Sequence, residues 1–130
     1  MKDNITLTIT NLLAIVFFTF HLADDIVSGI EKGGLSNLTA VPICVVWLYA
    51  TVVLAGRRSG YIIVLIASLL STGIPVLHMM GKGVGLGTNI AKYAGHFFFV
   101  WTLLALGITG LFSVILSVRG LWQLRRGRSR

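Results

Sequence analysis

Three histidines and two aspartates are the residues of this chain with chemistry to offer, and their spacing groups them. His21 lies three residues before Asp24 and four before Asp25, His78 lies four before Lys82, and His96 lies four after Lys92. Each imidazole therefore falls about one helical turn, ~6 Å, inside a charge that ends an apolar run. On a helix Asp25 stands about 40° round from His21 and Asp24 about 60° the other way, so either carboxylate reaches it, Asp25 more directly. Three imidazoles and a carboxylate complete a four-coordinate zinc site, or most of an iron site. A bis-histidine haem through His78 and His96 is a second arrangement. A metal held in this way is expected to be lost toward about pH 5, as imidazole protonates. Without a metal, the same groups would share a proton or an ordered water. The plainest alternative keeps three separate anchors, each bonded to a nearby carbonyl, with Asp24 and Asp25 in water. All of these stay open at the level of sequence.

Direction is easier to read than chemistry. Ala14 and Thr10 share the helical face of His21, Ser71 and Ala67 that of His78, and Gly107 and Gly110 that of His96. Small residues line the interfaces of membrane helices, whereas Leu, Ile, Val and Phe face lipid. The three histidines are thus expected to point into a bundle and converge in one polar cluster with Asp25. Pro75 lies one turn before His78 and is expected to bend its helix.

Other chemistry finds little support. There is no His-Glu-x-x-His and no pair of Glu-x-x-His helices, so a ferritin-like two-metal site is unsupported. Cys44 is the single cysteine, so no intrachain disulfide can form; apolar neighbours mark it as core. The loop Gly81 to Gly87 has glycine at every second position, but no strand precedes it and no Gly-Lys-Ser/Thr follows, so a phosphate loop is not expected. No charge falls at the middle of an apolar run. That argues against a four-helix proton-coupled drug exporter, which needs a central carboxylate, and against a channel with a charged constriction.

The elements that must hold these residues follow from composition. The chain has 130 residues, of which 12% are charged and 55% hydrophobic, and its mean hydropathy is +0.89. Soluble domains devote about a quarter of their residues to charge. Uncharged stretches run from Asn4 to Ala23, Gly33 to Gly56, Ser59 to Gly81 and Tyr93 to Val118. Each reaches the roughly 20 residues that a helix needs to cross a hydrocarbon layer. Runs such as Ile62 to Ile66 and Phe97 to Trp101 do not alternate as barrel strands do. One all-α domain of four transmembrane helices is predicted, over about 5–24, 38–55, 61–80 and 91–118. The first run lacks a small-x-small cleavage site and reads as a retained helix rather than a signal peptide. Ser36 or Asn37 is expected to cap the second helix.

Four spans bring both termini and the second connection to one side. That side collects Lys2, Arg57, Arg58, Arg119, Arg125, Arg126, Arg128 and Arg130; the other has Lys32, Lys82 and Lys92. Basic residues flanking spans stay cytoplasmic, so both termini are placed there, with 119–130 as a basic tail in a multi-pass protein of the plasma (inner) membrane. The arginines are expected to anchor the bundle to anionic headgroups. The tail is short and carries no recognition module, so nucleic acid is not an expected partner.

Three functions fit. An interaction or accessory subunit of a membrane assembly, self-associating or joined to a larger complex, leads on base rate. Its outward surface would include Phe17, Phe18, Phe20, Phe97 to Phe99 and Trp101, and the stripe from Gly107 to Ser117 would serve an internal or an intersubunit seam. A metal- or haem-binding redox protein using His21, Asp25, His78 and His96 is the second. A small-solute transporter with Asp24 and Asp25 at its mouth is the third.

Overall fold

A computed structural model describes residues 2–29, 31–80 and 97–127. Four α-helices carry the chain: α1 (Lys2–Val27), α2 (Ala40–Val52), α3 (Arg58–Met80) and α4 (Phe97–Gly127), with a 3₁₀ turn at Leu35–Thr39 leading into α2. The described residues contain no strand. Four segments are long and apolar enough to cross a membrane: Asn4–Val27, Leu35–Val52, Arg58–His78 and Phe97–Gly127. The protein is a small all-α bundle suited to a bilayer.

Its packing is the reverse of a water-soluble bundle. Large apolar side chains such as Ile9, Leu13, Leu70, Leu104 and Ile108 face outward, while Asn11, Ser68, Ser71, Thr102, Ser113 and Ser117 are buried. The inward positions recur at spacings of three and four. On α1 they are Leu7, Asn11, Ala14, His21 and Asp25; on α3, Tyr61, Val64, Ser68, Ser71 and His78. Such a stripe faces one neighbour along a helix. Lipid supplies no hydrophobic drive between helices, so close contact of small residues must do so.

The closest contact joins α4 to α3. A Cβ on Gly110 would lie 2.6 Å from Thr72 Oγ1, and one on Gly107 would lie 2.9 Å from the Pro75 ring. The helix runs unbroken past Pro75; Gly107 leaves the space its ring occupies. Gly110, Ser113 and Ser117 are buried within one chain, so the stripe of small residues is an internal seam.

Helix α2 sits at the edge of this three-helix core. Its 13 residues rise about 20 Å, and the preceding 3₁₀ turn adds about 10 Å, which together match a hydrocarbon layer of ~30 Å. Pro42 falls in the first turn, where its missing N–H costs little. The side chain of Asn37 accepts the Gly34 N–H at 2.8 Å, so Asn37 caps this entry. Trp47 Nε1–H donates to the buried Asn11 Oδ1 at 2.8 Å, while Asn11 Nδ2 donates to Leu7 O. A bond of this kind between membrane helices contributes about 0.6 kcal/mol, at most ~1.7.

At the exit of α2, Val53 and Leu54 N–H both donate to Tyr49 O. Gly56 then turns at φ +76, a region where a Cβ is strained, and α3 starts two residues later. Tyr61 donates to Asn4, which ties this turn to the start of α1. Helix α4 continues past Val118 through Arg119, Arg125 and Arg126 to Gly127. Arg126 lies over Trp122, one turn earlier, at 4.0 Å. The basic segment is therefore largely helical, where the sequence suggested a tail.

Two aromatic expectations need correction. Phe99, assigned to the outward surface, is 1% exposed because it lies three residues before the inward Thr102. Phe18 turns toward Trp47 and packs on the core. Phe20, Phe97, Phe98 and Trp101 do face outward. Cys44 is only partly buried and borders an apolar groove between α1 and α2.

Candidate metal centre

One end of the bundle brings His21, Asp25 and His78 together. His21 and Asp25 are one turn apart on α1, and His78 ends the inward stripe of α3. His21 and His78 are each 3% exposed. Their Nε2 atoms are 3.0 Å apart. Asp25 Oδ2 lies 3.7 Å from His21 Nε2 and 3.8 Å from His78 Nε2.

These three distances carry more than proximity. Neither carboxylate contact is a hydrogen bond, which would need about 2.7–2.9 Å. Three atoms at 3.0, 3.7 and 3.8 Å lie on a circle of radius about 2.05 Å. Zinc–nitrogen and zinc–carboxylate distances are about 2.0–2.2 Å. The gap therefore has the size of a first-row divalent ion, and side chains from two helices are aimed at it. Asp25 Oδ1 and Asp24 Oδ2 are both buried with no hydrogen-bond partner among the described residues. Carboxylate oxygens in that state are costly without a counter-charge.

A fourth side chain meets His21 from α4. Thr102 Oγ1 on α4 lies 3.0 Å from Phe98 O and 3.1 Å from Phe99 O. If its one hydrogen goes to either carbonyl, the hydroxyl oxygen is the acceptor toward His21 Nδ1, 3.3 Å away. In that arrangement His21 would carry its proton on Nδ1 and present a bare Nε2 lone pair to the gap. With no metal, His78 Nε2–H would donate to that lone pair at 3.0 Å; a metal would take the place of this proton. Phe99 closes the side, with ring centroids 5.2 Å from His21 and 5.4 Å from His78. Thr102→Val removes the acceptor and frees the tautomer. Loss of such an outer partner lowers metal affinity about 10–100-fold, which competition against a chelating dye would measure.

The residues singled out from sequence sort as follows. His21, His78 and Asp25 converge, while Asp24 is partly buried and is not one of the converging groups. His96 and the loop Gly81 to Gly87 lie outside the described residues, as do Lys82, Lys92, Arg128 and Arg130. A haem between His21 and His78 does not fit, because nitrogens 3.0 Å apart leave no room for a macrocycle between them. A haem through His78 and His96 involves residues outside those described. Arg57 and Arg58 are exposed at the α2–α3 turn, and Arg119, Arg125 and Arg126 are exposed on the last turns of α4.

Sequence reasoning missed Asn11 and the part played by Thr102. Thr102 was legible only as a hydroxyl able to bond its own preceding turn, which it also does. Its spacing of eight from Gly110 and eleven from Ser113, both on the small-residue stripe, was the available signal. No family model matches this chain, and comparison with curated proteins and with solved structures finds no match.

Proposed function

We propose that this is an integral membrane protein that binds one divalent transition metal through His21, Asp25 and His78. The observation that supports it is the gap of about 2.05 Å radius between three ligand atoms, held where direct hydrogen bonding to the carboxylate is not made. Two imidazoles and one carboxylate suit zinc, and equally a ferrous site with open positions. Three protein ligands leave at least one position for water, for a further side chain such as Asp24 or His96, or for an exchangeable ligand. Burial beside Phe99 limits the access of bulk water. The open position gives the site Lewis-acid or redox capacity, which a closed structural site lacks.

Purified protein in nanodiscs, stripped with chelator and reloaded, is the test. One zinc or cobalt per chain is expected, with cobalt giving the visible absorption of a low-symmetry, four- or five-coordinate ion. Failure to retain zinc, cobalt or anaerobically supplied ferrous iron after gel filtration would overturn the reading. The accessory-subunit reading has lost one of its supports, since the stripe of small residues is used within the chain.

A further inference from the structure

The opposite end of the bundle carries a second site of different chemistry. A cleft of about 660 Å³ opens between the α2–α3 turn and the last turns of α4. Three guanidinium-bearing residues line it, Arg57 and Arg58 from the turn and Arg125 from α4, over an apolar floor of Ile62, Leu121 and Leu124. Gly56 and its positive φ set the turn that brings the first two arginines beside α4. The opening amides of α3 add partial positive charge at the same place. Among the described residues no ion pair involves these arginines. Of the four acidic residues Asp24, Asp25 and Glu31 belong to the other end, and Asp3, at the start of α1, is the one at this end.

A cationic rim over an apolar floor is a two-part requirement. A free phosphate would satisfy the arginines but not Ile62, Leu121 and Leu124. A neutral lipid would satisfy the floor but leave three like charges gathered in a lining that holds no carboxylate. One phosphodiester balances one of the three. Trp122, on the next turn and stacked under Arg126, sits where aromatic residues mark the membrane–water boundary, so the cleft lies at headgroup depth. We propose that this cleft is a discrete binding site for one phospholipid whose headgroup carries two negative charges, its phosphates held by Arg57, Arg58 and Arg125 and its acyl chains entering over Ile62 and Leu124.

The site is independent of the metal centre at the other end, and its test leaves that centre untouched. The full chain would be reconstituted in phosphatidylcholine nanodiscs containing either cardiolipin or phosphatidylglycerol at equal total charge, released into the gas phase, and examined by native mass spectrometry. One cardiolipin retained per chain is expected, in clear excess over phosphatidylglycerol. Each of Arg57→Gln, Arg58→Gln and Arg125→Gln should weaken retention about fivefold, the factor that corresponds to about 1 kcal/mol per basic residue at an anionic surface. Arg126→Gln, whose guanidinium lies on Trp122, should change it little. Equal retention of the two lipids, or equal losses from all four variants, would reduce the cleft to general surface charge and overturn the proposal. Displacement of cardiolipin by millimolar inorganic pyrophosphate, with no need for acyl chains, would assign the cleft to a soluble anion and overturn it as well.

Discussion

His78→Ala is expected to lower zinc affinity by more than 100-fold while leaving helix content and monomer yield unchanged. Outer-shell partners alone are worth about 10–100-fold, and His78 supplies one of three ligand atoms. The vacated space lies beside Phe99 and His21, so truncation removes a nitrogen without opening a path through the core. Asp25→Asn is the companion variant. It keeps the shape of the side chain, removes the negative charge that balances the ion, and should cost as much. The pair separates a metal centre from a hydrogen-bonded histidine pair. In the latter case Asp25→Asn would be nearly silent, because Asp25 Oδ2 stands 3.7 and 3.8 Å from the imidazoles, beyond hydrogen-bond reach. His96→Ala asks in the same assay whether the third imidazole of the sequence joins the site. Calorimetric titration of chelator-stripped protein reads all three; unchanged affinity in His78→Ala would refute the assignment.

Gly60→Ala is expected to be the most disruptive glycine-to-alanine change among the described residues. A Cβ at Gly60 would lie 2.2 Å from Leu54 O and 2.9 Å from Leu54 C. These are backbone atoms of a tight turn, so no rotamer change relieves the clash, and α3 must move away from the exit of α2. Overpacking costs about 1–3 kcal/mol where side chains can adjust, and a backbone clash should reach the top of that range. Gly73→Ala is the control on the same helix. Nothing lies within 4 Å of its added Cβ, and removing a helix-interior glycine should stabilise by about 0.5–1 kcal/mol. Thermal or SDS unfolding in one detergent, followed by tryptophan fluorescence, should move the two midpoints in opposite directions. A Gly60→Ala protein as stable as its parent would show that the turn is not the tight joint described.

Much of the polar cluster was legible because membrane helices obey a strict facial rule. The small residues Ala14 and Ser71 reported the inward face of their helices, and His21 and His78 followed from a spacing of seven. Asp25 rather than Asp24 followed from the same geometry. The distances between helices were not legible. Spacing along one helix cannot reveal that His21 and His78 approach to 3.0 Å, nor that Thr102 on a third helix faces His21. Asn11 was passed over because an amide in the middle of an apolar run has no signature until its partner, Trp47, is known. The outward assignment of Phe99 failed for a related reason. In a run of three phenylalanines, hydropathy is uniform and only the phase of α4 decides which ring turns in. That phase is set by contacts with Thr72, Pro75 and Tyr61, all on another helix.

The order in which the helices leave the ribosome gives the buried site a property that its geometry does not. Its two imidazoles and carboxylate come from α1 and α3, but the hydroxyl that meets His21 and the ring that packs against both imidazoles belong to α4. A nascent chain with three helices in the bilayer would hold two imidazoles and a carboxylate open to lipid and water, with neither lid nor fixed proton. On the proposed metal reading, tight capture has to wait until the final helix is inserted, and a chain stalled or cleaved before Phe97 is expected to retain no ion.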